Sequence, residues 1–180
     1  MSPGSKIYRT HRARWLEYLV KQNNWQSGVE IGVYKGITFK HLIEKCSQLQ
    51  LTGVDVFYDD REWLKWDEQS TEKLEKTAPV SWYHDLIKFC DKFKPRAKLI
   101  RDFTNKAHVK FKNNSLDFIF IDAGHTYKDV AEDIDLWAPK VKTGGLISGH
   151  DINVLDVKKA VAERNPMFNE SPDNIWWWRK

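Results

Sequence analysis

The feature that most constrains this chain is an alternation. Short apolar runs that stop at glycine or aspartate take turns with longer segments whose apolar residues recur every three or four positions. Ser27-Gly28-Val29-Glu30-Ile31-Gly32 reads as a strand ending in a glycine turn, and residues 38–48 as a helix with Phe39, Leu42, Ile43 and Cys46 on one face. Leu51-Thr52-Gly53-Val54-Asp55-Val56 is then a second strand. A strand, a helix and a strand in this rhythm form a β-α-β crossover, which makes the two strands parallel. The rhythm continues with a helix over 81–93, a strand over 98–102, a short helix over 105–111 and a central strand over 116–122. A helix over 127–137, a glycine turn at Gly144-Gly145 entering a fifth strand, a helix over 157–164 and a last strand over 174–179 complete it. Ahead of the first strand, residues 10–24 predict an amphipathic helix, with Trp15, Leu16, Leu19 and Val20 inward and Arg12, Arg14 and Lys21 elsewhere on the surface. The fold class is α/β: a Rossmann-like open, mostly parallel sheet with helices on both faces.

Composition narrows the function classes. The 180 residues suit one domain, 1–180, with no repeat or linker to divide them. With 41% hydrophobic and 30% charged residues the chain is neither collagen-like nor disordered, and no run approaches the roughly 20 apolar residues a membrane span needs. The formal charge is +4, but acids and bases interleave, as in Lys88-Phe89-Cys90-Asp91-Lys92-Phe93-Lys94, which argues against a nucleic-acid partner. Cys46 and Cys90 have neither metal-ligand spacing nor a disulfide framework, and Met1-Ser2-Pro3-Gly4-Ser5-Lys6 has no apolar leader core. The expectation is a reduced, cytoplasmic setting.

Two constellations carry chemistry. The first is Glu30-Ile31-Gly32-Val33-Tyr34-Lys35-Gly36 with Asp55 closing the next strand. Glycines allow a tight turn and close approach of a ligand, and a carboxylate such as Asp55 can accept both hydroxyls of a ribose. The G-x-G-x-x-G dinucleotide fingerprint is not met, and Glu30 would repel a pyrophosphate while suiting a cationic or amino-bearing ligand. A nicotinamide-dependent oxidoreductase is disfavoured accordingly. The second constellation is Asp122-Ala123-Gly124-His125 after one strand and His150-Asp151 after the next. Adjacent parallel strands would bring these together at the crevice, where they could hold a divalent cation or supply a base. A plainer account has a solvated Glu30, Asp122 capping the following turn and both histidines bonded to backbone.

These blocks, Val29 through Gly36, Gly53-Val54-Asp55, Phe120-Ile121-Asp122-Ala123-Gly124-His125-Thr126-Tyr127 and Gly144-Gly145-Leu146-Ile147-Ser148-Gly149-His150-Asp151, resemble the class I S-adenosylmethionine-dependent methyltransferases. Within them the chain is most similar to the small branch of macrolide-sugar O-methyltransferases and cephalosporin-hydroxylase-like proteins. The resemblance implies a class I methyltransferase fold with a shortened C-terminus and methylation, of oxygen first, of a small hydroxylated acceptor. It implies S-adenosylmethionine as cofactor, its methionine end held by Glu30, Gly32, Tyr34 and Gly36, its ribose by Asp55, and its adenine beside Val56, Asp102 and Phe103. Asp122, His150 and Asp151 fall where metal-dependent relatives hold Mg or Mn, although those relatives usually have an acid in place of His150. His125, with Asp122, falls at the position of the base that deprotonates the acceptor. The alternative is a nucleotide- or metal-binding module of the same fold that transfers no methyl group.

Nine tryptophans are many for this size. Trp63 and Trp66 lie in residues 57–96, longer than a crossover needs, which suggests a lid or acceptor-binding insertion. Only 29 residues follow Asp151 (180 − 151), so the sheet is expected to finish with one strand carrying Trp176-Trp177-Trp178. Side chains alternate across a strand, so one or two of these indoles are expected at an exposed edge or a homo-oligomer contact.

Overall fold

The computed structural model describes residues 4–58 and 71–180. In chain order the elements are α1 (Gly4–Gln22), β1 (Ser27–Ile31), α2 (Ile37–Lys45), β2 (Gln50–Asp55), α3 (Thr71–Glu75), α4 (Ser81–Lys92) and β3 (Ala97–Arg101). There follow α5 (Thr104–Ala107), β4 (Leu116–Ile121), α6 (Tyr127–Trp137), β5 (Val141–Gly149), α7 (Leu155–Arg164), β6 (Asn169–Ser171) and β7 (Ile175–Arg179). The strands form one sheet in the order β3-β2-β1-β4-β5-β7-β6. The first five are parallel, and β7 is antiparallel to both of its neighbours. From β1 the order runs outward to β3 on one side and from β4 to β5 on the other. Crossovers therefore leave in opposite directions from β1 and β4, which opens a crevice at their carboxyl ends.

Each face of the sheet has its own core. Leu16 of α1, Phe39, Leu42 and Ile43 of α2 and Leu86 of α4 pack with Phe118 and Phe120 on one face. Val130, Ile134 and Trp137 of α6 and Val161 of α7 pack with Ile119 and Ile121 on the other. Alternate residues of β4 thus serve opposite cores, and four of its six are apolar and fully buried in sequence. The far end of α2 is closed by Arg96, whose guanidinium donates to the carbonyls of Cys46 and Leu49 at 3.1 and 3.2 Å and of Ile43 at 3.2 Å. Arg96→Ala leaves these acceptors unmet and should cost about 1–3 kcal/mol. A urea midpoint within error of wild type would show that water replaces the guanidinium at no cost.

The C-terminal end departs from expectation. The sheet finishes with a hairpin, β6-β7, rather than with one strand. Asp173 and Asn174 in its turn both have positive φ, 71° and 56°. The sequence hid β6 because it is three residues long, Asn-Glu-Ser, with no apolar alternation. Alternation along β7 is as expected: Trp176 and Trp178 stack at 5.4 Å in one core, and Trp177 faces Trp15 of α1 at 6.3 Å across the other. The expected exposure is not. Both edges of β7 are paired, so the strand offers no open edge, and the outer edge belongs to the short polar β6.

Within residues 57–96, α4 is a packed crossover helix that buries Leu86 and Cys90. Trp63 and Trp66, expected on a lid, lie outside the described residues. No helix among the described residues is long and apolar enough to cross a membrane.

Candidate active site

A cleft of about 950 Å³ opens over the carboxyl ends of the five parallel strands. Glu30, Gly32, Tyr34, Asp55, Val56, Asp102, Phe103, Asp122 and His125 all lie in its wall, and Gly36 is the N-cap of α2 beside them. Among the described residues, ten acidic side chains line the cleft against Arg12, Lys35 and two histidines, in a protein whose formal charge is +4.

The glycine turn is built at the end of β1. Gly32 has φ 84°, and a Cβ there would lie 2.2 Å from the Asp122 carbonyl oxygen, so the close approach of β1 to β4 requires glycine. Tyr34 and Gly36 also take left-handed conformations, at 50° and 72°. Asp55 holds this turn from β2: its Oδ2 accepts the backbone N–H groups of Val33 and Tyr34, both at 2.8 Å, and its Oδ1 accepts that of Phe57 at 2.7 Å. The residue expected for the ribose is therefore also the brace that shapes the loop.

Glu30 is not solvated. It is 3% exposed, and its Oε2 has no hydrogen-bond partner among the described residues. Burial pushes its carboxyl well above the usual range, and the charge of Asp122 adds to this while Arg12 opposes it. At the other end of the cleft Asp102 is buried, with Oδ1 accepting the N–H of Phe103 at 2.9 Å and Oδ2 facing Lys110 Nζ at 3.3 Å. The wall is completed there by Val56 and the buried Phe103.

The two Asp/His blocks converge as strand pairing requires. Ile121 is in register with Gly149, so Asp122 and His150 leave β4 and β5 side by side. Asp151, at φ 60°, turns its carboxylate back between two imidazoles. Its Oδ2 lies 2.8 Å from His125 Nε2 and its Oδ1 3.0 Å from His150 Nδ1. A carboxylate only accepts, so both nitrogens carry hydrogen. These two hydrogen bonds hold Asp151 well below the usual carboxylate range, and the bond to Asp151 raises His125 above 6.5. Burial works against a charged His150, yet the neighbouring carboxylates leave it raised too. Burial pushes Asp122 up to about 6, against the pull of Arg12 and His150. The following turn is capped by Thr126, whose Oγ1 accepts from the N–H of Asp129, and not by Asp122. The Trp176 indole donates to the His150 carbonyl at 3.0 Å and anchors the loop from below.

The expected metal set was Asp122, His150 and Asp151. His150 Nδ1 lies 3.7 Å from Asp122 Oδ1 and 3.0 Å from Asp151 Oδ1, and among the described residues Asp122, His125 and Asp151 also bring ligand atoms within 4.8 Å of one another. Their atoms are already engaged, Asp151 by both histidines and Asp122 Oδ2 by Arg12 Nη1 at 3.0 Å. A divalent ion here would have to compete with the Arg12 guanidinium for Asp122 and with both histidines for Asp151.

Arg12 was expected on the surface, and the structure brings it to the site. Its place one turn before Leu16 on the buried stripe of α1 was the available signal. Asp133 was also missed. It shares the inward face of α6 with Val130 and Trp137, accepts a hydrogen bond from Thr104 and is pushed up to about 7 by burial. At the mouth, Trp82 meets Tyr34 edge-on at 5.4 Å, with Lys35 over both rings.

The strand order, the glycine turn between β1 and α2 and the cleft above both define a class I methyltransferase fold. A family model described as a methyltransferase domain matches residues 29–152, and the chain belongs to that family. Among solved structures it is similar to the O-methyltransferase NovP, with a TM-score of 0.69 and 16% identity over 97% of this chain and 80% of that one. It is also similar to CalS11, a TDP-rhamnose 3'-O-methyltransferase, with a TM-score of 0.66 and 12% identity over 94% and 79% of the two chains. For a methyltransferase from Geobacter sulfurreducens the values are 0.57 and 14%, over 94% and 78%. A search of curated protein sequences finds no match.

Proposed function

We propose that this methyltransferase uses S-adenosylmethionine to methylate a hydroxyl of a small acceptor, with His125 as the base. The observation that carries the cofactor reading is Glu30: a buried, unpartnered carboxyl oxygen beside a glycine turn suits an ammonium or a water held by one. Asp55 would take the ribose, and Val56, Asp102 and Phe103 would border the adenine. When bound, S-adenosylmethionine supplies an activated, electrophilic methyl group.

The chain's own part is to orient the acceptor and remove its proton. His125 Nε2 is committed to Asp151, so Nδ1 is the nitrogen that accepts the proton, and Asp151 stabilises the imidazolium that results. Asp122 would accept a hydrogen bond from the acceptor or its water. The surplus of acids in the cleft favours an uncharged or cationic acceptor over one bearing phosphates.

Calorimetry tests the cofactor. S-adenosylhomocysteine should bind and NAD should not, and Glu30→Ala should weaken the first by about 10- to 100-fold, the equivalent of one hydrogen bond to a charged group. NAD binding without S-adenosylhomocysteine binding would overturn the reading.

A further inference from the structure

We propose that Arg12 is the resident cation of this active site, a guanidinium carried in by α1 that closes the Asp122–His125–Asp151 group to divalent ions. The proposal rests on reading the cleft as the active site. Three carboxylate and imidazole ligand atoms within 4.8 Å are a geometric invitation to a metal ion. What answers it here is protein. Arg12 Nη1 sits 3.0 Å from Asp122 Oδ2, and its Nε lies 3.3 Å from Thr38 Oγ1 at the start of α2. Its backbone N–H lies 3.1 Å from Asp173 Oδ2 in the β6-β7 turn.

The residue is thus held from three separate elements, and its side chain is only 18% exposed. The helix that carries it is fixed by Ala13, Leu16 and Val20, all buried. Arginine keeps its charge at any relevant pH and presents a rigid fork, so the positive charge is permanent and its position is set before a ligand arrives. A divalent ion on Asp122 would share one carboxylate with this guanidinium. Repulsion between two cations that close, in a cleft partly shielded from water, is large. The site gains the charge it needs from the chain, and the metal loses its place.

The experiment uses Mn²⁺ as the probe, titrated into the full chain with S-adenosylhomocysteine present, for wild type, Arg12→Gln, Arg12→Lys and Arg12→Gln/Asp151→Ala. Arg12→Gln should bind Mn²⁺ at least ~10-fold more tightly than wild type, Arg12→Lys should stay within about threefold of wild type, and the double variant should lose the gain. Equal affinities for wild type and Arg12→Gln overturn the proposal, as does a gain that survives Asp151→Ala. Circular dichroism checks each fold. If Arg12→Gln does not fold, wild type decides alone: binding in the micromolar range overturns the proposal, and no saturation by ~1 mM supports it. S-adenosylhomocysteine affinity, measured on the same samples, separates the two readings. Its absence from wild type counts against the methyltransferase site, whereas the Mn²⁺ pattern speaks only to Arg12.

Discussion

Replacing His125 with alanine is expected to slow methyl transfer by roughly 10²–10⁴-fold, the usual worth of a positioned general base. S-adenosylhomocysteine affinity should stay within about twofold, because the proposed role sets His125 against the acceptor and not the glycine turn. The measurement is transfer from labelled S-adenosylmethionine, with an acceptor found by screening small hydroxylated compounds. A variant that loses cofactor affinity and rate together would assign His125 a structural role instead.

The same residue predicts the pH profile. Asp151 raises the His125 pKa above 6.5, and the base works only when neutral, so the rate should climb as pH rises through that raised value and then level off. Asp151→Asn should move the rising limb to lower pH, and an unmoved limb would show that another group sets it. Stability runs the other way. A raised histidine stabilises the fold below its unfolded pKa, near 6.5, and the contribution fades as pH rises through the folded value. The depressed Asp151 stabilises above its unfolded pKa, near 3.8, and fades as pH falls through the folded value. The pair therefore supports the fold most between those two values, just below the range where His125 becomes an efficient base.

Gly32→Ala is the second large effect. The added Cβ would meet the Asp122 carbonyl oxygen at 2.2 Å and the Ala123 Cα at 2.7 Å, both backbone atoms that cannot swing aside. At φ 84° an alanine is strained as well. Strain of about 1–2 kcal/mol and overpacking of about 1–3 kcal/mol together take much of the stability of a domain worth about 5–15 kcal/mol. Gly144→Ala is the control. It has a similar φ, 79°, but nothing within 4 Å of the new Cβ, so it should show the strain alone. Equal melting temperatures for the two variants would mean that β1 and β4 separate easily. Any Gly32→Ala protein that folds should also bind S-adenosylhomocysteine poorly, because the displaced atoms lie in the cleft wall.

Much of this architecture was legible in the sequence, for reasons that differ by element. Helix α6 matches its predicted bounds, residues 127–137, because Thr126 supplies a cap and the apolar positions keep a 3.6-residue period. The β1-to-β2 and β4-to-β5 strands were legible because each ends at a glycine or aspartate that the motif itself demands. Parallel pairing then placed Asp122 beside His150 with no coordinates needed. The short β6 was invisible because three polar residues have no period, and its pairing comes entirely from β7. Residues 59–70, with Trp63 and Trp66, stand outside this comparison.

The sequence by itself determined the α/β alternation, a mostly parallel sheet and the identity of the residues at the strand ends. Those depend on local periodicity and on turn chemistry, which are read within a few residues. Only the tertiary structure decided that Glu30 is buried with an Oε2 that finds no partner among the described residues, that His125 joins His150 beside the two aspartates, and that Arg12 reaches Asp122 across 110 positions of chain. Such pairs are set by how α1 packs on α2 and how far each side chain extends over the crevice, and no local pattern encodes that. The tryptophans show the same division. Alternation along β7 followed from the strand, but which indoles water reaches was settled by the short strand beside it.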